Sequence, residues 1–138
     1  MIRSPIPPEE NIVRAIHRTW WDIKDGRKSS SIFKGENISV SRLAILNLQE
    51  LFPIFHRGLD TSPSGIIISA GEINVGHLQK IGREYVEKPI EIIVEEDPTK
   101  ENPEKNIVEN PAHAEIPQKI SRGLAKRNIK ELVFHKDI

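Results

Sequence analysis

Apolar positions along this chain come in short runs, separated by breaks rich in proline, glycine and charge. The first run, Ile12, Val13 and Ile16 within residues 9–19, has a spacing that suits a short helix or a strand equally. Ahead of it, three prolines among the first eight residues predict an extended arm, because proline removes backbone donors and disfavours helix in its predecessor. Asp25-Gly26 signals a turn. Residues 29–33 and 38–40 read as two short extended pieces joined by a turn at 34–37. Ser41 is placed to cap a helix carrying Leu43, Ala44, Leu46, Leu48, Leu51 and Phe52. Apolar residues wrap that helix broadly, which predicts a buried element, and Pro53 is expected to end or kink it.

Residues 60–65 form a loop, and Ile66, Ile67 and Ile68 give a strand buried on both faces. Ser69 and Glu72 have capping-box spacing, and Ile73, Leu78, Ile81 and Tyr85 follow on one helical face. Ile90, Ile92, Ile93 and Val94 make a second strand. Residues 97–110 carry many charges and little to bury, so a loop of that length is either functional or partly disordered. Residues 110–116 look extended. Pro117 suits the first turn of a helix running to about Asn128, with Ile120, Leu124 and Ala125 facing the core. Leu132, Val133 and Phe134 give a last short strand. Strict strand–helix alternation is absent. The pattern predicts an α+β fold: a compact single domain over residues 1–138, with a mixed or antiparallel sheet and about three helices.

Composition agrees with one folded unit. At 138 residues a second independent core is not expected, and an apolar share of 37% beside a charged share of 29% is ordinary for a globular protein. Lys and Arg number 20, as do Asp and Glu, so a global electrostatic footprint for nucleic acid is missing while a local basic face stays open. The chain has no cysteine, which removes disulfides, thiolate nucleophiles and thiolate metal sites. No signal-peptide pattern and no apolar run near the roughly 20 residues of a membrane span is present. A cytoplasmic protein with no membrane partner is the expectation.

Candidate chemistry concentrates in two distant segments. Arg14 and His17 stand three apart beside Trp20 and Trp21. An arginine holds a phosphate or carboxylate and a histidine moves a proton, although a surface arginine and a histidine packed on tryptophan satisfy the same pattern. Ser29, Ser30 and Ser31 precede Ile32-Phe33, where hydroxyls and backbone donors either bind an anion or cap a turn. His113 and Glu115 are two apart in an extended stretch, which puts both on one face as an acid–base pair or as two metal ligands. A third ligand such as His17 is not brought near by the linear sequence, so no metal is assigned and the cofactor stays unknown. Lys119, Arg122, Lys126 and Arg127 line one side of the last helix and either contact phosphates or form a solvated face. Walker, Rossmann, nucleophile-elbow and zincin patterns are absent.

Several of these pieces occur in one order: Arg14-Ala15-Ile16-His17, Ser30-Ser31-Ile32-Phe33, Ile38-Ser39-Val40, Ile68-Ser69-Ala70-Gly71, Asp97-Pro98 and Asn110-Pro111-Ala112-His113-Ala114. In that set the chain resembles a family of small bacterial proteins. The resemblance spans most of the chain and implies a shared fold and a shared polar site, but no activity. The stretch between Asp97-Pro98 and Asn110-Pro111 is longer here than in that family. The order Arg14, then Ser29 to Ser31, then Glu115 is also similar to ADP-ribosyltransferase-like proteins. Those hold and cleave NAD with an early arginine, a serine-rich strand and a late glutamate, but the interval from Arg14 to Ser29 is short for that architecture.

Two functional readings follow. In the first the chain is an enzyme or binding domain for an anionic nucleotide or RNA phosphate. Arg14, Ser30 and Ser31 would bind the ligand, and His17, His113 and Glu115 would carry the chemistry. In the second it is a non-catalytic interaction or regulatory module whose proline arm (residues 1–8) and charged loop (97–110) order on a protein partner.

Overall fold

Strand β1 (Asn11–His17) is buried on both faces, which explains why its apolar spacing matches no single period. Ile12 and Ile16 enter one core cluster, and Val13 and Ala15 enter another on the opposite side of the sheet. The structure, a computed structural model, describes residues 3–21, 26–60 and 65–136. Met1 and Ile2 of the arm, Asp25 of the predicted turn and 61–64 of the predicted loop lie outside the described residues.

Five further strands complete the sheet: β2 (Ile38–Arg42), β3 (Ile67–Asn74), β4 (Glu95–Glu96), β5 (His113–Ile116) and β6 (Val133–Lys136). Their order is β4-β5-β2-β1-β3-β6, and every pairing is antiparallel. Among the described residues there are three α-helices, α1 (Leu48–Leu59), α2 (Val75–Glu84) and α3 (Arg122–Lys130). Leu51, Phe52 and Phe55 of α1 pack on Val13, Ala15, Ile67 and Ala70. Leu78 of α2 and Leu124, Ala125 and Ile129 of α3 pack on Ile12, Ile16, Ile38 and Ile116 across the sheet. The predicted α+β class, antiparallel sheet and three helices are what the chain forms. No helix among the described residues is long and apolar enough to cross a membrane.

Local chemistry moved several boundaries. Ser41 does not cap a helix. It lies in β2, and α1 starts seven residues later behind a reciprocal capping box: the Glu50 amide donates to the Asn47 side chain at 2.9 Å, and the Asn47 amide to the Glu50 carboxylate at 3.2 Å. Pro53 lies inside α1, which runs on to Leu59 because the buried Leu51, Phe52 and Phe55 hold both sides of it. The Ser69–Glu72 pair is strand, not cap, since β1 pairs with β3 from Asn11 opposite Asn74 to Ile16 opposite Ser69. Gly71 suits that strand, where an added Cβ would come within 3.0 Å of the Leu132 side chain. Pro117 precedes α3 by five residues, and Ser121 is the cap, accepting the Leu124 amide at 3.2 Å. Ser30–Ile32 is a turn of 3-10 helix, not a strand. Of the strand predicted over 90–95 only Glu95 joins the sheet, with Glu96 in β4, and Ile90, Ile92, Ile93 and Val94 are not strand although Ile92 and Val94 are buried.

The arm is extended but packed. Ile6 is buried and its amide donates to Val94 O at 2.8 Å, while the Glu96 amide donates to Ser4 O. The charged loop is an ordered hairpin. Thr99 and Asn110 exchange both backbone hydrogen bonds at 3.0 Å, Asn102 and Ile107 likewise bond in both directions, and Asn106 takes the left-handed conformation at φ 55° that closes the turn.

Candidate functional site

A cavity of about 310 Å3 lies between the sheet, α1 and the 97–110 hairpin. Ile54, Phe55 and Leu59 of α1 with Ile107 and Val108 of the hairpin form its apolar wall. Arg14, His17, Ser39, Ser41, Thr99, Asn110 and His113 supply its polar groups. The two segments that held the candidate chemistry meet here.

Strand alternation explains most of this. Val13, Ala15 and His17 point to one face of β1, and Ser41 and His113 are register partners on β2 and β5. Arg14 belongs by alternation with Ile12 and Ile16. It reaches the cavity because the β1–β2 ladder has only two registered pairs, Ile12 with Arg42 and Val13 with Ser41. Beyond them the guanidinium supplies the missing cross-strand bond, donating Nη1 to Ser39 O at 2.9 Å and Nε to Ile32 O at 3.0 Å. It also sits 5.2 Å from the Trp20 ring centroid. Among the described residues it has no carboxylate partner. Burial pushes its pKa down to about 10, so at neutral pH it remains a cation.

The two imidazoles are held alike. His17 Nδ1 donates to Gly65 O at 2.7 Å and its ring stands edge-to-face on Trp20 at 4.4 Å. His113 Nδ1 donates to Asp97 O at 2.8 Å, with the Asp97 carboxylate 3.4 Å away. A carbonyl only accepts, so the proton of each neutral ring is assigned to Nδ1 and the Nε2 lone pair is left without a partner among the described residues. Asn110, buried, donates to Ser41 Oγ at 3.1 Å and accepts the Ala112 amide at 3.0 Å. Ser41 therefore keeps its own proton to donate.

No family model, curated protein or solved structure matches this chain.

Three of the sequence candidates stand outside the cavity walls. Glu115 accepts from Arg3 at 2.8 Å. Ser30 and Ser31 sit in the 3-10 turn, where the Ser31 amide donates to Ser29 Oγ, and that turn serves the site by presenting Ile32 O to Arg14. The hydroxyls that do line the cavity, Ser39, Ser41 and Thr99, were not among the candidates. The polar positions of Ile38–Arg42 recur with period two, a strand signal that the helix-cap reading of Ser41 hid. Among the described residues no group of three or more His, Asp or Glu side chains is placed to hold a metal ion. The arrangement can hold one anionic group on Arg14, donate to it from hydroxyls, and move protons on two imidazoles while an apolar body rests on α1.

Proposed function

We propose that the cavity binds a nucleotide or RNA phosphate and that His17 and His113 transfer protons during cleavage of a phosphodiester. The observation that carries this is Arg14: a desolvated, half-buried cation with no carboxylate partner among the described residues, in the same cavity as two imidazoles whose Nε2 atoms have no partner among them either. One neutral imidazole takes the proton of a ribose 2′-hydroxyl as its oxygen attacks phosphorus. The bond to the 5′-oxygen breaks, and that oxygen takes the Nε2 proton of the other imidazole, which enters the reaction as the doubly protonated imidazolium, leaving a 2′,3′-cyclic phosphate. Arg14 offsets the charge that builds on the phosphoryl oxygens. Transfer from NAD is less favoured. Among the described residues no carboxylate lines the cavity, and about 310 Å3 is at the small end of ligand sites, which run from about 300 to 1,000 Å3. That volume suits one nucleoside with its phosphate better than a dinucleotide.

The test is chromatography of ribodinucleotides incubated with the protein, with calorimetry of nucleoside monophosphates beside it. Cyclic phosphate should form, the rate should fall on both sides of a pH maximum, and His17→Gln or His113→Gln should each lower kcat by about 10²–10⁴. A wild-type protein that binds no nucleotide at all overturns the reading.

A further inference from the structure

A second polar feature lies away from the cavity, where α3 meets β6. A groove of about 550 Å3 is lined by Lys28, Lys126, Lys130 and Phe134, with Ile129 and Leu132 at its base. Trp21 and Phe134 form an aromatic pair there, centroids 5.4 Å apart, and Lys28 Nζ lies 4.9 and 4.7 Å from the two rings. Lys136 Nζ is 5.9 Å from Trp21. Among the described residues none of the four lysines has a carboxylate partner.

Net charge hides this patch because the opposite charge sits at the other edge of the sheet. Glu95, Glu96, Asp97 and Glu115 cluster at β4 and β5, where Arg3 and Arg42 engage three of them. The unpaired lysines therefore lie at the β6 edge, away from that cluster, and like charges gathered in one groove favour a polyanion there. We propose that the groove binds single-stranded nucleic acid, the lysines contacting phosphates and Trp21 with Phe134 stacking bases. Lys28 covers the rings in the free protein, but its ammonium sits on a flexible four-carbon stem and a base offers the aromatic pair a larger stacked contact. A base therefore displaces the ammonium, which remains available for a phosphate. Trp20, under Arg14 and His17, and Trp21, packed on the groove residue Phe134, are consecutive. The assignment of RNA as the strand that continues from groove to cavity rests on the phosphate reading of the cavity.

Fluorescence anisotropy with a labelled single-stranded RNA and its DNA counterpart tests the groove directly, whether or not the cavity turns over a dinucleotide. The wild type should bind with a steep salt dependence. The double variant Lys126→Gln/Lys130→Gln should weaken binding about tenfold or more and flatten the salt slope by about 0.7 for each phosphate it no longer neutralises, with ribodinucleotide turnover unchanged. Phe134→Leu, kept only if its thermal midpoint stays near wild type, should weaken binding about fivefold or more with the slope unaltered. Tighter binding of the RNA assigns the ribose strand, and equal binding leaves the groove a site for either strand but removes its continuity with an RNA-cleaving cavity. Unchanged affinity in the lysine variant overturns the proposal, as does equal displacement of the RNA by polyglutamate, which would mark a docking surface for acidic protein.

Discussion

Arg14 carries the most consequence of any single residue here. Folding surrounds its cation with backbone carbonyls and an indole but, among the described residues, no anion, at a cost on the order of 3 kcal/mol for a pKa lowered to about 10. Because the folded value is depressed, that penalty is present at every pH below about 10 and is relieved as pH rises through it. A bound phosphate reverses the shift and holds the proton on. Affinity for a nucleoside monophosphate should therefore be lost progressively as pH is raised above about 10, and calorimetry in buffers up to about pH 10.5 reads this. An Arg14→Gln variant should bind weakly at neutral pH and show no such fall.

At the level of elements, each misplaced boundary traces to a competing local signal. Ser41 looks like a cap in isolation, but Asn47 and Glu50 satisfy the helix end reciprocally while Ser41 pairs in register with His113. Pro53 reads as a terminator because it lacks the amide that would bond to Gln49 O, yet α1 continues through it on its buried face. That places a removable defect in the helix. Pro53→Ala should raise stability by about 1–2 kcal/mol, the helix-propensity gain less the added freedom of the unfolded chain, as read by urea denaturation. An unchanged midpoint would mean that the helix has already adapted fully to the proline. Helix α1 also supplies part of the apolar wall of the cavity, so its position shapes the cavity as well as the core.

Over the whole molecule, the site is an assembly of three parts that are remote in sequence: the sheet centre, α1 and the 97–110 hairpin. The hairpin closes on itself through Thr99–Asn110, so it is separable from the core packing. Replacing residues 101–108 by a two-residue turn should lower the thermal midpoint by only about 5 °C while reducing nucleotide affinity more than tenfold. Scanning fluorimetry and calorimetry read the two effects, and retained affinity would move the ligand out of this cavity. Within the hairpin Thr99 Oγ1 donates to Val108 O and the Glu109 amide to the Glu101 carboxylate, so its two strands are tied to each other by side chains as well as by backbone.

The class of fold, the strands at Ile67 and Val133, the absence of thiol chemistry, and three of the polar residues that meet in the cavity, Arg14, His17 and His113, are legible in the order of residues. Those follow from side-chain type and short-range periodicity, which act within a few residues. Only the folded arrangement reveals that β1 and β2 part beyond Val13, that Arg14 fills the opening, and that Ser39 and Ser41 line the cavity while Ser30, Ser31 and Glu115 do not. It also gathered four lysines at one edge of a chain with no net charge. Register and strand order are set by pairings across the whole chain, and no local pattern of residues encodes which carbonyl a strand leaves unpaired.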